Sequence, residues 1–99
     1  MIRVIIERQL KKGGRIWLSD MIRELRASAM QYPGYVTGET LVDTEDKSRI
    51  AVISTWHRIE DWEDWAKSET RSVLYRQTEP FVEEQPKIRI FRIIATEEK

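Results

Sequence analysis

Two runs rich in β-branched and other apolar residues, Tyr35–Val42 and Arg49–Trp56, are separated only by Asp43-Thr44-Glu45-Asp46-Lys47-Ser48. So short a polar link cannot carry the chain back across a sheet, so the two runs form an antiparallel hairpin. What flanks the hairpin then decides the fold. Before it, Leu18, Met21, Ile22, Leu25 and Ala29 recur at helical spacing, predicting a helix from about Arg15 to Gln31 that stops at Tyr32-Pro33-Gly34. Ahead of that helix, Ile2–Leu10 alternates loosely, with Ile2, Val4 and Ile6 on one face and Arg3, Ile5 and Glu7 on the other.

After the hairpin, Trp62 and Trp65 share one helix face, and Glu60-Asp61 in the first turn complement the positive end of the helix dipole. Ile59, Trp62, Trp65 and Ala66 are expected inward. Ser68 interrupts or re-caps that helix, and Glu69–Gln77 reads as a second helical piece burying Val73 and Leu74. A connector between Pro80 and Pro86 holds Phe81 and Val82, and Lys87–Ala95 is the fourth strand. The order is β-α-β-β-α-β, an α+β ferredoxin-like arrangement: a four-stranded antiparallel sheet with its helices on one face.

Helices cover one side of such a sheet. Ile5, Ile53, Phe91 and Ile93 put apolar groups on the other, which predicts a partner sheet and so a homodimer. A chain of 99 residues is read as a single domain over 1–99. Its 17 basic and 17 acidic residues leave no surplus charge for phosphate backbones or anionic lipid, so neither nucleic acid nor a membrane is the expected partner. The absence of cysteine removes disulfides, thiolate metal sites and thiol nucleophiles. The N-terminal apolar run is short, carries charges and lacks a cleavage pattern, so a cytoplasmic location is expected. With one histidine and no HxxxH or HxH spacing, no metal site is expected either.

A strand ending in tryptophan, a helix with aromatic-x-x-Trp, then Lys-Ser and a further helical turn resembles the antibiotic biosynthesis monooxygenase (ABM) domains. The residues carrying the likeness are Ile53, Trp56, Trp62, Trp65, Lys67 and Ser68, with Pro33-Gly34-Tyr35 matching the turn into the second strand. The resemblance implies a dimeric α/β barrel in which two sheets close on each other, with a ligand pocket between each sheet and its helices. It also implies a choice of activities: hydroxylation of polyketide aromatics without metal or flavin, haem degradation, action on small signalling molecules, or none known. The haem-degrading members use an asparagine on the first strand, a tryptophan on the second helix and a histidine as iron ligand. Those positions fall here on or beside Glu7, on Trp65 and on Tyr75, so two of the three depart from the pattern.

The expected function is oxidation of a small planar aromatic or quinol-like compound by molecular oxygen with no cofactor. The alternatives are a non-catalytic ligand-binding or structural module and, after it, a haem-degrading enzyme. The candidate catalytic residues are Glu7 as base, Trp65 as stacking wall and Tyr75 as hydrogen-bond donor. Each has a plainer reading beside it: a cross-strand salt bridge for Glu7, core filling for Trp65, and a helix-end phenol in water for Tyr75. His57 is the lone imidazole and so a candidate general acid or base, but it follows the inward Trp56 and so points away from the core. Trp56 and Trp62 are read as structural, Trp17 as a surface or dimer-seam residue, Tyr32 and Tyr35 as packing at their turn, and Glu60-Asp61, Glu83-Glu84 and Glu97-Glu98 as solvated surface.

Overall fold

The computed structural model describes the backbone of the whole chain and every side chain except those of Arg15, Ile16 and Trp17. The reading of Trp17 therefore lies outside the described residues. The elements are β1 (Ile2–Gln9), α1 (Gly14–Ala29), β2 (Tyr35–Val42), β3 (Arg49–Trp56), α2 (Ile59–Ala66), α3 (Glu69–Thr78), a 3-10 turn (Glu79–Phe81) and β4 (Lys87–Arg92). The sheet is antiparallel throughout, in the order β2-β3-β1-β4, which is the ferredoxin-like topology. Within this one chain the sheet is open, not closed into a barrel.

Register fixes what each face carries. Ile2 pairs with Trp56, Val4 with Ser54, Ile6 with Val52 and Arg8 with Ile50, and this set faces the helices. Because side chains alternate along a strand, Arg3, Ile5 and Glu7 lie on the opposite, open face beside Thr55, Ile53 and Ala51. Phe91 and Leu41 remain substantially exposed, and Phe91 is the register partner of Arg3 on that face. No helix of the described residues is long and apolar enough to cross a membrane.

Under the helices the core divides in two. One cluster joins Ile2, Val4, Ala29, Trp56 and Trp65; the other joins Leu10, Leu18, Ile22, Ile50 and Val82. Trp56 is fully buried, with Tyr35 edge-on at 5.3 Å between ring centroids, while its indole N–H donates to Ser54 Oγ at 3.0 Å. That bond satisfies the one polar atom the indole brings inside.

Four local expectations meet a different outcome. Ile59 and Val73 are exposed rather than buried. On α3 the inward line runs through Arg71, Leu74, Tyr75 and Thr78, spaced by three and four, and Val73 falls off it. On α2 the buried first-turn residue is Asp61, which corrects its reading as solvated surface. Gly34, at φ 91°, makes the room, since a Cβ there would collide with the Asp61 carboxyl group; Arg58 Nη2 pairs with Asp61 Oδ1 at 3.1 Å. The fourth difference is the length of β4, which ends at Arg92 instead of reaching Ala95. Its pairing with β1 runs out where the Ile93 N–H meets the Met1 carbonyl at 3.0 Å. Ser68 does re-cap the helical segment, accepting the Arg71 N–H at 3.1 Å on its Oγ.

Candidate functional site

Between the two core clusters the helices do not fully close on the sheet, leaving a cavity of about 60 Å³. Its floor is Ile6, Val52 and Ser54 from the central strands, and α1 contributes Leu25 and Arg26 to a wall. Trp62 and Trp65 come from α2, and Arg71 and Tyr75 from α3. The last two lie four residues apart on one helix face, so α3 delivers a cation and a phenol together.

The far wall depends on β2. The pairing shifts between Tyr35 and Thr37, so Val36 is an extra residue that re-aims the strand next to the cavity. Tyr35 then leans over Gly38, where a Cβ would collide with its hydroxyl group. Burial pushes the Tyr35 phenol above its ordinary value, with Arg26 opposing, so at neutral pH it is an O–H donor. Arg26 itself pairs through Nη2 with Thr40 Oγ1.

The electrostatic character of the cavity comes from Arg8, at the end of the face that holds Ile2, Val4 and Ile6. Its side chain is 3% exposed, and its Nε is buried without a hydrogen-bond partner. Its guanidinium lies over the Tyr75 ring, 5.5 Å from the centroid, and that of Arg71 lies over the same ring at 4.0 Å. Burial lowers the pKa of both arginines, the Tyr75 oxygen opposes, and at Arg8 the charge of Arg71 lowers it further. Among the described residues no aspartate, glutamate or histidine lines the cavity. Among the described residues no group of three or more His, Cys, Asp or Glu is placed to hold a metal ion.

Trp65 and Tyr75 thus share one cavity, whereas Glu7 does not reach it. Glu7 is exposed on the open sheet face, in a polar groove with Arg49 and Lys87, and Lys87 is its register partner on β4. The sequence reading of Glu7 as a pocket base is corrected on this point: one residue along a strand reverses the face. Trp65 is 6% exposed, packs edge-on against Tyr32 at 5.5 Å as a core residue, and also lines the cavity. His57 is exposed, as its place after Trp56 implies. Arg8, Arg26, Arg71 and Gly38 had not been singled out as site residues. The signal for Arg8 was strand parity with Ile6, and for Arg71 its four-residue spacing to Tyr75. The described residues do not fit a haem: no histidine among them lines the cavity, and the Tyr75 ring is covered by guanidinium groups.

A model of the antibiotic biosynthesis monooxygenase family matches residues 1–76. Among solved structures, the fold is similar to that of SnoaB, a cofactor-independent oxygenase from Streptomyces nogalater, with a TM-score of 0.87 at 10% identity over 96% of this chain and 94% of that one. It is also similar to a conserved protein from Methanosarcina mazei (TM-score 0.86, 14% identity, 92% and 90% covered). PA3566 from Pseudomonas aeruginosa is a third such structure, with a TM-score of 0.81 and 19% identity over 95% and 94% of the two chains. No curated protein matches the sequence.

Proposed function

The chain belongs to the antibiotic biosynthesis monooxygenase family, and from that premise we propose that it binds a small planar, electron-rich phenol or quinol between sheet and helices and oxidises it with molecular oxygen. The observation carrying this reading is the cavity that brings Trp65 and Tyr75 together beside the guanidinium groups of Arg8, Arg26 and Arg71 and, among the described residues, no carboxylate. SnoaB, which shares the fold, is described as a cofactor-independent oxygenase. The reaction balances without a further reductant: a phenol and one oxygen molecule give a quinone and one water.

In such a reaction the electron-rich anion of the substrate is the reductant, so the protein's task is to favour that anion and to keep water from it. The guanidinium groups of Arg8, Arg26 and Arg71 do the first, because a cation in a water-poor site stabilises a developing phenolate far more than it would in water. The proton leaves through the open mouth to solvent, which dispenses with a carboxylate base. Trp65 forms the stacking wall, and the Tyr75 hydroxyl donates to the substrate oxygen. A cavity of about 60 Å³ holds a few waters, so a single ring enters by displacing the flexible ends of Arg26 and Arg71. Two chains pair through the open sheet faces, covering Phe91 and Leu41, and the cysteine-free chain suits a reducing cytoplasm.

Oxygen consumption with hydroquinones and hydroxynaphthalenes tests the reading. Uptake that falls at least tenfold in Trp65→Leu and Tyr75→Phe supports it, whereas no uptake across the panel selects a second reading, a ligand-binding module without turnover. One observation favours that second reading: among the described residues no histidine, aspartate or glutamate lines the cavity to move a proton.

A further inference from the structure

We propose that the ligand carries a carboxylate on its ring, seated against Arg8 and Arg71, so that the protein takes hydroxyaromatic acids in preference to neutral phenols. The inference rests on the aromatic-ligand reading above and sharpens it to a substrate class.

Among the described residues, three guanidinium groups, of Arg8, Arg26 and Arg71, line the cavity, and no acidic side chain lines it with them. Little solvent reaches Arg8 to balance its charge, for the residue is 3% exposed. The Nε atoms of Arg8 and of Arg26 are both buried with no hydrogen-bond partner. A buried donor left unmade is costly, and a buried cation without a counter-charge is costlier. Folding therefore holds in this cavity a deficit that an incoming anion removes.

The shape of the surroundings says which anion. The indole of Trp65 makes a flat apolar wall close to the two guanidinium groups that lie over the Tyr75 ring, which favours an anion attached to a ring over a small hydrated one. A carboxylate conjugated to that ring lies in the ring plane and presents two oxygens to the planar guanidinium fork. A neutral phenol leaves the deficit in place. Its hydroxyl balances one charge only after ionising, so the carboxylate and the phenolate have separate partners among the arginines.

The test compares near-isosteres, 2,5-dihydroxybenzoate and 2,5-dihydroxybenzamide, by tryptophan-fluorescence titration and calorimetry. The wild-type chain is expected to bind the acid about 10- to 100-fold more tightly than the amide. In Arg71→Gln and in Arg8→Met that preference should fall below about threefold, the acid losing more affinity than the amide. Should Arg8→Met fail to fold by circular dichroism, Arg71→Gln on the half-buried face of α3 carries the comparison alone. Equal affinities in the wild type, or a preference that survives in both variants, overturns the proposal. So does acetate or inorganic phosphate binding as tightly as the ring acid, since that marks a general anion site. Oxygen uptake with neutral hydroquinone and none with the acid overturns this proposal while sparing the oxygenase reading. Tight, arginine-dependent binding of the acid without oxygen uptake supports it and removes the oxygenase reading instead.

Discussion

Replacing Arg8 by methionine should leave the protein as stable as before or more so, although the side chain removed is nearly fully buried in the middle of the sheet. Three terms decide the sign. The wild-type guanidinium sits over Tyr75 at 5.5 Å, near the limit of a cation–π contact, and losing it costs about 0.5–1 kcal/mol. Against this, the unpartnered buried Nε disappears, which returns about 1–3 kcal/mol. Removing the charge also ends its repulsion by Arg71 and its desolvation, the effects that together lower its pKa. Methionine is flexible and fills the same channel between Ile6 and Ile50 without a polar atom. The net expectation is a gain of about 0–2 kcal/mol, with each kcal/mol worth roughly 4–8 °C in Tm for a domain of this size. Thermal and urea unfolding followed by circular dichroism measure it. The dependence on pH supplies a second check. A cation whose folded pKa lies below its unfolded value destabilises wherever it is charged in both states, and relief comes only as pH rises through the folded value towards the unfolded one. Burial lowers the Arg8 pKa, so the difference between variant and wild type should stay flat from about pH 6 to 9. A loss above about 2 kcal/mol would refute the reasoning, because it would mean that the protein itself, and not a ligand, satisfies the charge.

Three further outcomes follow from contacts outside the arginine cluster. Gly38→Ala drives a methyl group into the Tyr35 hydroxyl and should cost about 1–3 kcal/mol, most of which Tyr35→Phe in the same chain restores, as read from urea midpoints. Gly34→Ala combines a left-handed backbone, φ 91°, with a collision against Asp61, so a loss of about 3 kcal/mol or more is expected. Adding Asp61→Ala should recover only part of it, since the Asp61 Cβ still stands 2.6 Å from the new methyl group. In the β2–β3 loop, hydrogen bonds from the Ser48 side chain and backbone, helped by Gln9 and the charge of Arg49, hold the Asp46 carboxyl below the usual carboxylate range. That contribution is present above the unfolded pKa and is lost as pH falls through the folded one, so amide exchange in the loop should speed up on acidification, and less so in Ser48→Ala.

The order of the elements and the place of each α-helix were readable because each rests on a local rule that tertiary packing reinforces. The hairpin had too few linking residues to be anything else, and Ser68 capped α3 by the geometry its hydroxyl permits. Asp61 was not readable. Its burial depends on a missing Cβ at Gly34, far away in sequence, so its own helix gave no sign of the space. Ile59 stays exposed while that inward position belongs to a carboxylate.

The site shows the same division at finer grain. Trp65 and Tyr75 reach the cavity because helical spacing aims them there, and that spacing is visible in the sequence. On β1 the relevant rule has period two, and it had already put Ile2, Val4 and Ile6 on the face that turned out to meet the helices. Continuing the count reaches Arg8, so the buried charge belongs to the cation and the carboxylate of Glu7 faces outward. A pocket with Glu7 would have repelled anions and could have removed a proton. A pocket with Arg8 attracts anions and cannot act as a base, because a guanidinium keeps its proton. The single-residue difference therefore changes the chemistry expected of the site from proton abstraction by the protein to ionisation of the substrate by a fixed positive field.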